Sequence, residues 1–131
     1  MFIDASALVA MVAHEPEGDE FARRVEQASA RYTSPLAAYE TVLAICRIRN
    51  APMAETQAIL DRFIAVASIE IVPITPEIGR LAIEALARFG RGNHPARLNM
   101  GDCFAYACAR NLSVPLLFKG GDFSQTDIAA A

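Results

Sequence analysis

Four carboxylates in this 131-residue chain stand where an acid has chemistry open to it. Asp4 follows Phe2 and Ile3 and leads at once into a helical run. Glu40 lies at the edge of an apolar stripe, one turn from both Leu36 and Leu43. Asp102 sits in "NMGD", in the first turn of an otherwise apolar helix. Asp122 ends "VPLLFKGGD", where an apolar strand runs into a lysine and a pair of glycines that permit a sharp turn.

Each acid also has an ordinary reading. Asp4 is a good helix N-cap. Glu40 is too far from Ser34 for a capping box and reads equally well as solvated or paired with Arg47. Asp102 is the third residue after a candidate cap, Asn99, where the helix dipole is worth ~0.3–1 kcal/mol. Asp122 has the weakest structural excuse. Asp127, after Ser124 in "SQTD", reads as a capping acid and is set aside.

Taken together, the four pose an electrostatic problem. Two carboxylates ~5 Å apart repel by roughly 3 kcal/mol at an effective dielectric near 20. A cluster is tolerable only with bound cations or raised pKa values. Oxygen ligands without histidine or thiolate suit Mg²⁺ or Mn²⁺.

The elements that must position them alternate. "MFID" and "RYTS" read as short strands, as do "IEIVPI" and residues 114–118. Between the first two lie a helix from Ala5 to about Ala13 and a second with Phe21, Val25 and Ala28 on one face. Ser34-Pro35 starts a helix running to about Asn50, with Leu36, Tyr39, Leu43 and Cys46 as its stripe. The next, from about Met53, is expected to bury Ile59, Leu60, Phe63 and Ile64. Pro76 opens a helix with Ile78, Leu81, Ala82, Ala85, Leu86 and Phe89 at helical spacing, ended by Gly90. "GRGNHPARLN" is a polar loop, and Met100–Asn111 a buried helix. This order predicts an α/β class and a mainly parallel sheet. Sites in such sheets form beyond the carboxyl ends of the strands, where Asp4 and Asp122 fall.

Composition bounds the rest. The length fits one domain spanning residues 1–131, and no linker or repeat divides it. No apolar run reaches the ~18 residues of a membrane span, and the N-terminus lacks a signal-peptide pattern, so a cytoplasmic protein is expected. Three cysteines without C-x-x-C spacing argue against a disulfide framework or a zinc site, and each reads as a small core residue. Net charge is −3, but setting the four acids aside leaves +1, and eleven of the twelve basic residues are arginine. Bulk charge therefore does not exclude a nucleic-acid partner.

"FIDASALVA", the glutamate at 40 and "LNMGDCFAYACARNLSVPLLFKGGDFSQTDI" resemble a PIN domain, and most of all the VapC-type toxins of bacterial toxin–antitoxin pairs. The resemblance covers the whole chain in order. It implies a three-layer α/β/α fold, a homodimer, Mg²⁺- or Mn²⁺-dependent RNA cleavage, and inhibition by an antitoxin chain. The family's acidic set falls on Asp4, Glu40, Asp102 and Asp122, with Ser6 in support. Arg91, Arg97 and Lys119 are candidate RNA contacts, and His94 is expected to face solvent.

Two rival readings stand beside this one. A haloacid dehalogenase-like phosphatase also begins on a strand ending in Asp, but would want a second Asp where this chain has Ser6. A non-catalytic module would use the fold only to dimerise and hold a partner, and has no need of mutually repelling carboxylates.

Overall fold

A computed structural model describes all residues, 1–131. The elements run β1 (Phe2–Ile3), α1 (Ala5–Val12), α2 (Gly18–Gln27), β2 (Tyr32–Thr33), α3 (Pro35–Arg49) and α4 (Met53–Val66). They continue with β3 (Glu70–Ile71), α5 (Pro76–Phe89), α6 (Met100–Leu112) and β4 (Leu116–Leu117), and a 3₁₀ turn covers Asp122–Gln125. The sheet order is β3-β2-β1-β4 and every pairing is parallel. Phe2 pairs with Tyr32 on one side and Leu116 on the other.

Alternation along these short strands builds two cores. Successive strand side chains point to opposite faces. Phe2 and Leu116 therefore pack with Ile78, Ala85 and Phe89 of α5 and with Tyr106 and Cys108 of α6. Ile3 and Leu117 point the other way, into Leu8, Phe21, Val25, Ile45, Leu60 and Ile64 of α1–α4. Strands apolar on both faces are what a parallel sheet covered by helices requires. The result is three layers, α5–α6, sheet and α1–α4.

Sequence periodicity overstated some burial. Tyr39, Ile59 and Leu86 are exposed although each extends an apolar stripe, and Ala28 lies just beyond the end of α2. The third strand shortens to Glu70–Ile71, both exposed, because it is the sheet edge. Cys103 and Cys108 are core residues, while Cys46 is only half-buried against Thr56.

Asp127 is not a capping acid. Its carboxylate accepts from the Tyr106 hydroxyl (2.5 Å) and from Arg88 (2.8 Å), tying the C-terminal tail to α5 and α6. The tail then lies along the outer edge of β4, where the Leu116 amide donates to Ala129 O and Ala131 donates back to Leu116 O. An otherwise open strand edge is thereby covered. His94 also departs from expectation. It is half-buried, with its ring edge-on to Phe89 at 5.2 Å and Nδ1 accepting the Ala96 amide.

Candidate active site

The direction of the crossovers changes between β1 and β4, because β1 leads toward β2 and β3 on one side while β4 lies on the other. Crevices at such switch points, past the carboxyl ends of the strands, are natural binding sites. Asp4 is the first residue beyond β1, and its amide donates to Leu117 O across this seam (3.0 Å).

Asp4 does cap α1, so the ordinary reading was correct as far as it went. Its Oδ2 accepts both the Ser6 amide (2.9 Å) and the Ser6 hydroxyl (2.5 Å). The Ser6 Oγ in turn accepts the Lys119 amide (3.0 Å), so one hydroxyl links the ends of β1 and β4. Asp4 is only 5% exposed, and burial pushes its carboxyl above the usual range despite those bonds.

Asp102 enters from the opposite layer. Asn99 Oδ1 accepts the Asp102 amide (3.0 Å), and Asp102 Oδ2 accepts the Asn99 amide (2.8 Å), a reciprocal capping box. The box fixes where the carboxylate stands. Burial raises its pKa to about 6, with Asp4 and Asp122 adding to the rise and Arg91 opposing it.

Glu40 comes from the second turn of α3, which starts directly after β2 because Ser34 caps it and Pro35 fits its first turn. The carboxylate makes no hydrogen bond or ion pair within the chain, including with Arg47. Burial, then Asp4 and Asp102, push its pKa to about 7. Asp122 opens the 3₁₀ turn, exposed, and its charge acts on both Asp4 and Asp102.

A crevice of about 430 Å³ is lined by Asp4, Ser6, Glu15, Glu40, Asn99, Asp102 and Lys119 among others. Three of the four acids border it, and Asp122 acts on it from outside the lining. Lys119 does not project freely, since its ammonium lies between Glu15 (2.8 Å) and Glu17 (3.1 Å).

A family model described as the PIN domain matches residues 1–129. A VapC ribonuclease of Rhizobium meliloti is 38% identical, covering 97% of this chain and 98% of its own. Ribonuclease VapC30 of Mycobacterium tuberculosis is 40% identical, covering 98% and 96%. The chain belongs to the PIN-domain family. Its fold also matches the crystal structure of Mycobacterium tuberculosis VapC20, a sarcin–ricin loop cleaving toxin, with a TM-score of 0.78. There the identity is 17%, and the match covers 99% of this chain and 97% of that one.

The donor set of this PIN domain fits a hard divalent ion in kind, since it is all oxygen, with no histidine or thiolate lining the crevice. In position it is not gathered. No three acidic, histidine or cysteine side chains stand close enough to hold an ion as they are. Ser6 holds Asp4 and the capping box holds Asp102, so each carboxylate stands in a fixed position. Mg²⁺ needs only one or two carboxylates, completing its shell with water and substrate phosphate.

Sequence reading missed Gly101 and Glu15. A β-carbon on Gly101 would overlap the Glu40 carboxylate, so the glycine makes the space in which that acid sits. The signal was present, since glycine inside a helix costs about 1 kcal/mol against alanine and asks for a reason. Glu15 gave none, because its partner Lys119 is 104 residues away.

Gly101→Ala therefore separates site geometry from stability in this PIN domain. The clash is with the far end of a flexible side chain, so Glu40 swings out and the fold survives. We expect unchanged or slightly raised thermal stability. The Glu40 pKa should fall from about 7 toward the ordinary range as burial is lost. Carboxyl NMR titration of the two proteins checks this, and an unmoved Glu40 resonance would remove the proposed role of Gly101.

Proposed function

We propose that this PIN domain is the toxin of a toxin–antitoxin pair, an endoribonuclease that hydrolyses RNA phosphodiester bonds with Mg²⁺ or Mn²⁺. The observation carrying the reading is that Asp4, Glu40 and Asp102, from three distant points of the chain, line one crevice, with the charge of Asp122 acting on it from outside. Burial first, and then the neighbouring acids, raise the pKa values of Asp102 and Glu40 to about 6 and about 7. A scaffold gains nothing from such repulsion, whereas metal-assisted phosphoryl chemistry uses it. The ribonuclease names of the VapC relatives support RNA as the substrate class, and the family resemblance implies the antitoxin.

Asp4 and Asp102 are the residues best placed to hold the ion, with Asp122 and Glu40 completing its surroundings directly or through water. When bound, the ion supplies positive charge against the scissile phosphate, the attacking water and the leaving oxygen. Ser6 keeps Asp4 aimed, and the capping box does the same for Asp102. Glu40 lines the crevice with no hydrogen-bond partner within the chain, which leaves its carboxylate free to accept a proton from the attacking water. Neither histidine lines the crevice, so none is assigned as base. In-line attack by water that breaks the P–O3′ bond, the course the family resemblance implies, leaves a 5′-phosphate and a 3′-hydroxyl.

The proposal extends to a homodimer, to action in the cytoplasm, and to an antitoxin segment covering the crevice. No helix is long and apolar enough to cross a membrane. A cationic side chain of the antitoxin, arginine above all, can stand in for the ion's charge among the carboxylates.

The test is incubation of the purified chain with a mixed RNA pool in Mg²⁺ or Mn²⁺ and in EDTA, followed by sequencing of the new ends. Cleavage at defined sites only with metal is expected. A folded protein that leaves every RNA intact with both ions overturns the reading.

A further inference from the structure

The twelve basic residues divide by what they already touch. Arg23, Arg24, Arg80, Arg88 and Lys119 are ion-paired, while Arg31 and Arg49 donate to backbone carbonyls. Arg47, Arg62, Arg91, Arg97 and Arg110 have no such partner. Arg110 faces Asp127, and Arg47 and Arg62 lie exposed on different helices. Only Arg91 and Arg97 share one loop and one concavity, of about 440 Å³, lined solely by Arg91, Gly92, Asn93, His94, Pro95 and Arg97.

That loop is held in shape from inside. Its ends pair, Arg91 N–H donating to Leu98 O (3.2 Å) and Leu98 N–H to Phe89 O (2.9 Å). The amides of Asn93 and His94 both donate to Gly90 O, and Arg97 N–H donates to His94 O. Ala96 and Leu98 are buried, and the His94 ring packs on Phe89. With Nδ1 accepting the Ala96 amide, neutral His94 carries its proton on Nε2. Arg97 is locked in the left-handed region at φ 53°. Non-glycine residues seldom enter that region because of steric cost, so the loop's other contacts must hold Arg97 there.

Position supplies the purpose. Two residues after Arg97 comes Asn99, which caps α6 and lines the carboxylate crevice. Arg91 is close enough for its charge to act on Asp102. A nuclease whose crevice is acidic repels the polyanion it must hold, and needs positive charge beside that crevice. We propose that loop 90–98 is a preformed subsite for RNA backbone phosphates flanking the cleaved bond, with Arg91 and Arg97 as its two contacts. This rests on the ribonuclease reading. Arginine suits the role because its planar fork meets phosphate in two parallel hydrogen bonds. A pre-shaped loop loses little freedom on binding.

The experiment is fluorescence anisotropy of a labelled 20-nucleotide mixed-sequence RNA in EDTA, over a range of salt. It compares the parent, Arg91→Ala/Arg97→Ala, the double lysine variant, and Arg62→Ala. Each phosphate contact to a single strand contributes about 0.7 to the slope of log affinity against log salt. The double alanine variant should lose about 1.4 of that slope. The lysine pair should restore most of it, and Arg62→Ala should match the parent. Both loop arginines are exposed, so all variants should melt with the parent. An unchanged slope in the double alanine variant, with a parent that binds and cuts RNA, overturns the subsite and leaves the ribonuclease reading intact. A parent that neither binds nor cuts RNA overturns both.

Discussion

Asp102→Asn should leave a folded protein that no longer cuts RNA. The substitution keeps the side-chain shape, and its amide oxygen can still accept the Asn99 N–H that closes the capping box. The helix start survives and only the charge is lost. Removing a charge that braces a metal-dependent transition state costs several kcal/mol. Each 1.36 kcal/mol is a factor of ten, so cleavage should fall by at least about 100-fold. Asn99→Ala supplies the contrast. It removes the cap without touching the carboxylate, and should cost about 1 kcal/mol of stability. Most of the activity should remain. Rates and melting temperatures measured on the same preparations separate the two roles of this turn. An Asp102→Asn protein cutting at the parental rate would leave Asp102 as a capping residue and nothing more.

The double duty of Asp4 and Asp102 explains why the site was only half legible in the sequence. Read one at a time, each acid had a sufficient local explanation, and the structure shows that the local explanation was true. What sequence could not show is that caps on opposite layers of the fold face one crevice, since this depends on α3 meeting α6 across the seam. Glu40 was the hardest to place because its surroundings are generic. The feature that marks it lies 61 residues later, in a glycine whose missing side chain leaves it room. The fold was legible where pattern follows from burial on both sides, as in the apolar pairs Phe2-Ile3 and Leu116-Leu117. It was less so at Ile59 and Tyr39, where helical spacing continues around a surface that the monomer leaves open. Asp127 was misread because its partners, Arg88 and Tyr106, lie 39 and 21 residues away and local pattern offered a cap instead.

Glu40→Gln should stabilise the metal-free protein, and the gain should grow with pH. In the unfolded chain Glu40 titrates near its ordinary 4.5, whereas the fold raises it to about 7, and Asp102 is raised from 3.8 to about 6. A carboxyl raised by folding binds protons more tightly in the native state, so stability falls as pH rises between the two values. Below about pH 3 both groups are protonated in both states and neither carries a penalty. From there the penalty builds and is complete above about pH 7. A rise from 4.5 to about 7 corresponds to roughly 3 kcal/mol. Glu40 is only half-buried, and solvent screening brings the expected gain of the amide to about 1–2 kcal/mol at pH 8. For a chain of this length that is a few degrees in melting temperature. Other acids titrate over the same range, so the informative quantity is the difference between variant and parent. It should be near zero at pH 4.5 and largest at pH 8. Mn²⁺ should raise the melting temperature of the parent, because an ion that prefers the native state stabilises it by mass action, and Glu40→Gln should lose much of that response. The measurement is thermal melting of both proteins from pH 4.5 to 8, in EDTA and in Mn²⁺. If Glu40→Gln melts below the parent at pH 8 in EDTA, the carboxylates are not in conflict and do not form one site.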